Sequence, residues 1–263
     1  MTKVIVHATA RELGEAVAAS LLPGFADAAR NGKSYLLGCP GGRSPKPVYE
    51  ALGRRLAARP IDLSRLVIVM MDEYLVERGG KLEACHPGSH FSCRGFAARD
   101  IAGELDACLP AAWRIRPENV WLPDPANPAA YDKQIAAAGG IDHFLLASGA
   151  SDGHVAFNPP GSPRDSRTRV IALAQETRRD NMATFPDFRS IDDVPHHGVS
   201  VGIETIAGQS RAATMLLLGE SKREAFARVT AAGDYQPDWP ATVVAACRNA
   251  TVVADKAAAG AAP

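Results

Sequence analysis

Four short, mostly apolar runs stop abruptly against polar or glycine-bearing segments: Tyr35-Leu-Leu-Gly38, Leu66-Val-Ile-Val-Met-Met71, His143-Phe-Leu-Leu-Ala147 and Thr214-Met-Leu-Leu-Leu218. Unbroken apolarity over so few residues marks strands covered on both faces, because a strand with one wet face alternates apolar and polar side chains. Between the runs the period changes to that of helices. Thr9-Ala-Arg-Glu12 has the capping-box pattern, and Leu13, Val17 and Leu21 follow it, predicting a helix over 10–30 closed by Asn31-Gly32. Ser44-Pro45 reads as an N-cap and first-turn proline, with Val48, Leu52 and Leu56 as the apolar face. A further helix carries Ala225, Phe226 and Val229, and Val252-Val-Ala254 reads as the last strand. Strands alternating with helices predict an α/β fold, a three-layer sandwich with a mostly parallel, Rossmann-like sheet. At 263 residues the chain reads as a single α/β domain, with a disordered Ala/Gly tail from about residue 257.

Composition removes several classes of function. Lys plus Arg equals Asp plus Glu at 29 each, so no global basic field attracts nucleic acid or an anionic membrane, and any phosphate must be held locally. No basic leader precedes a long apolar run, and no apolar stretch reaches about 18 residues, so a cytoplasmic protein with neither secretion nor membrane insertion is expected. Cys39, Cys85, Cys93, Cys108 and Cys247 are odd in number and lack any CxxC pair, which predicts reduced thiols. His86 and His90 crowd Cys85 and Cys93 in one segment, but the spacing fits no zinc pattern, and no metal is expected there.

In open parallel sheets ligands sit beyond the carboxyl ends of the strands. Four groups of residues fall at such ends. Pro40-Gly41-Gly42-Arg43-Ser44, before a helix start, is either an ordinary tight turn or a phosphate cradle built from backbone donors. It matches neither a dinucleotide nor a Walker pattern. Asp72 and Glu73 follow the second run, so one side chain points into a cleft and the other away. Desolvation would raise the first toward a useful pKa, unless the acids cap a helix or pair with arginine. Asp152-Gly153-His154, on a turn rich in serine and glycine, places an acid two residues from an imidazole that it can orient, or leaves a satisfied surface histidine. Lys222 follows the fourth run. Arg164, Arg167 and Arg169 read as a solvated face, a lid or an anion site, and His196-His197 as a loop.

As a set, these motifs resemble the glucosamine-6-phosphate deaminase and 6-phosphogluconolactonase superfamily across nearly the whole chain. The likeness is carried by Pro40-Gly-Gly-Arg-Ser-Pro45, Met71-Asp-Glu-Tyr74, His86-Pro-Gly-Ser-His-Phe91, Asp152-Gly-His-Val-Ala-Phe-Asn158, Ser166-Arg-Thr-Arg-Val170 and Val201-Gly-Ile-Glu-Thr-Ile206, and it leans to the deaminase branch. The resemblance implies aldose-ketose isomerisation with deamination of a hexosamine 6-phosphate, a hydrolase acting on an amino-sugar phosphate. Asp72 would move the proton between C2 and C1, His154 would assist ring opening, and Asp152 would support His154. Gly41, Gly42, Arg43, Ser44 and Lys222 would hold the 6-phosphate, with no metal or organic cofactor. A small phosphosugar is then the expected partner, and a homo-oligomer is compatible with it.

The chain also departs from the deaminase pattern. Pro159 stands where the resemblance implies a glutamate, which leaves an acid-histidine-acid relay incomplete. Ala183 stands at an expected phosphate-binding arginine, with Arg178 and Arg179 near enough in sequence to substitute. Ser162 and Arg169 match the family's allosteric phosphate site while Pro163 and Ile171 do not, so that regulation is not expected. Two other readings stand beside the deaminase: lactone hydrolysis with His154 as general base, and a phosphosugar-binding protein without turnover.

Overall fold

The computed structural model describes residues 2–260. Its main sheet contains β1 (Lys3–His7), β2 (Tyr35–Cys39), β3 (Leu66–Met70), β6 (Val120–Trp121), β7 (His143–Ala147), β10 (Ala213–Leu217) and β11 (Ala250–Asp255). The strand order is β1-β11-β10-β7-β2-β3-β6, and every neighbouring pair is parallel. One apolar cluster joins the Leu13/Val17/Leu21 face of helix Ala10–Arg30 and the Val48/Leu52/Leu56 face of helix Lys46–Ala58 to one side of the sheet. A second cluster packs Tyr131, Ile135, Ile203, Ile206 and Val229 against the other side. Along β10, Met215 and Leu217 enter the second cluster and Leu216 the first, the alternation of a strand buried on both faces. The result is the expected three-layer α/β fold.

The chain leaves β2 toward β3 and β6 on one side, whereas β7, β10, β11 and β1 lie on the other. Loops after β2 and β7 therefore diverge between adjacent strands, the crevice where α/β sheets place ligands. Helix Ala10–Arg30 starts as its sequence predicts, with Thr9 Oγ1 accepting from Glu12 N at 3.1 Å. The helix after the glycine loop starts later than expected. It begins at Lys46, with Pro45 already in helical conformation and no side-chain cap. Ser44 is thus freed from the capping role and lines the crevice instead.

A second, four-stranded antiparallel sheet, absent from the sequence reading, is built from β4 (Asp72–Arg78), β5 (Lys81–Ala84), β8 (Arg169–Ala172) and β9 (His197–Ser200) in the order β5-β4-β9-β8. Asp72 therefore opens a new strand rather than ending the old one. Gly79 and Gly80, at φ +58° and +76°, make the two-residue turn between β4 and β5, a conformation only glycine adopts cheaply. His197 is strand, not loop. At the other end, Lys256–Ala259 form a helix capped by Asp255, whose Oδ1 accepts from Ala258 N at 2.8 Å, where disorder was expected from about residue 257. The last residues of that tail, 261–263, lie outside the described residues.

Candidate active site

The ends of β2, β3, β7 and β10 open into one cleft of about 570 Å³. Gly41, Gly42, Arg43, Ser44, Asp72, His154 and Lys222 all line it. Asp152, directly behind His154, is buried at 8% exposure. The residues to which the family resemblance gives a catalytic or phosphate-holding part thus lie at the cleft or, for Asp152, in contact with a residue that lines it.

Asp72 and Glu73 divide between the two possibilities open at the sequence level. Asp72 faces the cleft. Glu73 turns away and binds the segment that follows β5: its carboxylate accepts from Cys93 N and Arg94 N at 2.9 Å each, and from Ser92 Oγ at 3.1 Å. Tyr74 N and Cys85 Sγ also donate to it. Glu73 is therefore a structural anchor at the start of the short helix Cys93–Phe96. Burial pushes the Asp72 carboxyl up to about 7, with Glu73 adding to the rise while the Cys93 thiol and the charge of His154 oppose it. A carboxylate so poised exchanges protons near neutral pH.

Across the cleft, Asp152 Oδ1 lies 2.7 Å from His154 Nδ1 and accepts from His154 N at 3.1 Å. Thr177 Oγ1 donates to the other carboxylate oxygen at 3.3 Å. Burial works against the charge of Asp152, yet its bonds with His154 and Thr177 hold the carboxyl below the usual range. As an acceptor it fixes the proton on Nδ1, which leaves Nε2 to trade a proton with a ligand. Gly149 is required beside this pair, because a Cβ there would stand 2.2 Å from His154 Nδ1.

Lys222 donates to Ser148 O, and burial lowers its pKa although the Asp180 charge supports the ammonium form. Arg43 is exposed on the glycine loop, where Gly42 holds φ +83°. Together they make a positive rim at one end of the cleft. Replacing Lys222 by Met is expected to raise KM for a phosphorylated ligand about 10- to 100-fold while leaving KM for an unphosphorylated one unchanged, measured by steady-state kinetics.

Asp180 was not anticipated. It projects from helix Gln175–Thr184, lines the cleft, and accepts from Ala150 N at 3.3 Å and Ser151 Oγ at 3.2 Å. Asp152, His154 and Asp180 bring one potential ligand atom each to within 4.8 Å of one another, although the Asp152 oxygen is already engaged by the ring. Arg178 and Arg179 do not take a place in the cleft. Arg178 is buried against the carbonyls of Ile191 and Val194, and Arg179 is exposed beside Glu176. Arg164 pairs with Asp234, and Arg169 binds Asn158 Oδ1 at 2.9 Å. Cys85 bonds Glu73, and His86 and His90 are exposed.

The family described as glucosamine-6-phosphate isomerases/6-phosphogluconolactonase matches residues 8–253. A glucosamine-6-phosphate deaminase of Streptomyces avermitilis is 36% identical over 257 residues, covering 98% of this chain and 91% of its own length. One from Rhodococcus jostii is 38% identical over 259 residues with the same coverage. Among solved structures, a monomeric glucosamine-6-phosphate deaminase superposes with a TM-score of 0.82 at 27% identity, over 98% of this chain and 99% of that one. A 6-phosphogluconolactonase from Shewanella baltica gives 0.67 at 18% identity, over 97% of each chain, a likeness of fold alone.

Proposed function

This chain belongs to the glucosamine-6-phosphate isomerase/6-phosphogluconolactonase family, and we propose that it converts a hexosamine 6-phosphate to the ketose 6-phosphate with release of ammonia. The observation that carries the reading is the buried Asp72 carboxyl, poised near neutrality, in the same cleft as the Asp152-supported His154. Arg43, the glycine-loop donors and Lys222 hold the phosphate. His154 passes a proton to the ring oxygen as the sugar opens. Asp72 then takes the proton from C2 and returns it to C1, while His154, which recovers a proton from the C1 hydroxyl as the ring opens, gives it back to the aldehyde oxygen to re-form that hydroxyl. The amine at C2 is left as an iminium, to which water adds and from which ammonia departs.

Asp180 serves this scheme as a second carboxylate beside His154, a part that Glu73, committed to five donors, is not free to play. Lactone hydrolysis is the second reading, favoured by Pro159 at the position where the family resemblance implies an acid. No helix among the described residues is long and apolar enough to cross a membrane.

Proton NMR in D₂O with glucosamine 6-phosphate and galactosamine 6-phosphate tests the proposal. Loss of the C2 proton signal together with ketose and ammonium formation is the expected result. Silence with both sugars but hydrolysis of a phosphosugar lactone would move the assignment to the second reading. Saturable binding of these ligands without any product would indicate a binding protein.

A further inference from the structure

Asp72 opens β4 on the cleft side, yet its hydrogen bonding comes from behind. Among the described residues the carboxylate has one hydrogen-bond donor, the Cys93 thiol, whose sulfur lies 3.2 Å from Oδ1. The thiol is buried at 6% exposure, but Cys93 contributes to the wall of the cleft. Burial and the two neighbouring acids push its own pKa well up, so it stays protonated and acts as a donor.

The position of that thiol is not accidental to the local fold. Glu73 binds the backbone N–H groups of Cys93 and Arg94 and the Ser92 hydroxyl, while Ser92 Oγ accepts from Gly95 N at 3.1 Å. The two adjacent acids of β4 point to opposite sides and are joined through this turn: Glu73 holds the helix start that presents Cys93 to Asp72. Other groups acting on Asp72 come from several directions. Glu73 belongs to its own strand and His154 to the turn after β7. Tyr74, on β4, and Tyr131, from helix Pro128–Ala137, share its field as neutral phenols. Cys93 alone among these donates a hydrogen bond to the carboxylate.

The geometry points to Cys93 as a positioning residue for the Asp72 base: its S–H fixes Oδ1, leaves Oδ2 to face the substrate, and sets how readily the carboxylate gives up its proton. This inference rests on the isomerase reading for its kinetic consequence, though not for its physical content. A thiol is a weaker donor than a hydroxyl, so cysteine at this place stabilises the anion less than serine and more than alanine. The base is thereby kept ionisable but still basic.

Two substitutions separate donation from packing. Cys93→Ala removes the donor, and Cys93→Ser restores one of similar size. In Cys93→Ala the acidic limb of the pH profile of kcat/KM for C2 exchange should move up by about half to one pH unit, lowering the rate at pH 6 about 3- to 10-fold with little change at pH 9. In Cys93→Ser the limb should stay or move down. Carbon-13 NMR of aspartate-labelled protein reads the same titration directly, with Asp72→Asn assigning the resonance, so the inference remains testable if no sugar phosphate is turned over. An Asp72 titration unmoved in both variants, or moved in the same direction in both, would overturn the role assigned to the thiol.

Discussion

Asp72→Asn should lower C2 proton exchange and ketose formation by about 10²- to 10⁴-fold, yet melt at a higher temperature than the wild type at pH 8. Both effects have one origin. The carboxyl is buried, and its folded-state pKa of about 7 lies above the value of an unfolded aspartate, about 3.9. Between those two values the folded protein holds a proton that the unfolded chain has released, so stability from this group falls as pH rises through the window. Above about pH 7 the full cost of a buried charge remains. Asparagine removes that cost and still offers an oxygen to the Cys93 thiol. The gain in melting temperature should therefore shrink on going from pH 8 to pH 5. Measured by calorimetry beside the NMR assay, a variant that is inactive and less stable at pH 8 would contradict this account of Asp72, since a carboxylate that stabilises the fold is not strained toward proton transfer.

How far such a site can be foreseen differs from element to element. The strands that carry it were legible because burial on both faces leaves an unbroken apolar run, and because their polar ends collect where parallel sheets bind ligands. Asp72, the Asp152–His154 pair and Lys222 were found by that logic alone. The second sheet escaped it. β8 and β9 have only four residues each, and β4 follows β3 after a single intervening residue, so the acids hid a change of strand. The Gly79-Gly80 pair between Leu75-Val76 and Lys81-Leu82 was a usable hairpin signal. β1 is inconspicuous because its apolar run, Val4-Ile5-Val6, is only three residues long, and as an edge strand it leaves Val4 and Val6 41% and 44% exposed. Asp180 had no local signal. It sits in a helix rich in charged residues, and only packing of that helix over the turn after β7 brings it to His154.

Asp152→Asn is the second substitution with a large expected effect, because it acts on the tautomer of His154 rather than on its presence. The wild-type carboxylate is acceptor-only, so the ring must carry its proton on Nδ1 and present Nε2 to the cleft. An asparagine can turn its amide nitrogen toward Nδ1 and donate to it, which moves the proton to the other nitrogen and loses the charge that supports an imidazolium. In the Ser-His-Asp triad of serine proteases the equivalent change costs about 10⁴-fold; here a loss of about 10²- to 10⁴-fold in kcat is expected, with KM changed far less because Arg43 and Lys222 are untouched. Asp180→Asn should be milder, about 10-fold, since its carboxylate is also held by Ala150 N and Ser151 Oγ and does not set the tautomer. Nitrogen-15 NMR of the imidazole separates these cases: the Asp152 variant should show the neutral ring changing tautomer, and the Asp180 variant should not. If Asp152→Asn kept the wild-type tautomer and still lost activity, the carboxylate would be acting through its charge alone; if it changed the tautomer and kept activity, His154 would not be the proton carrier at this cleft.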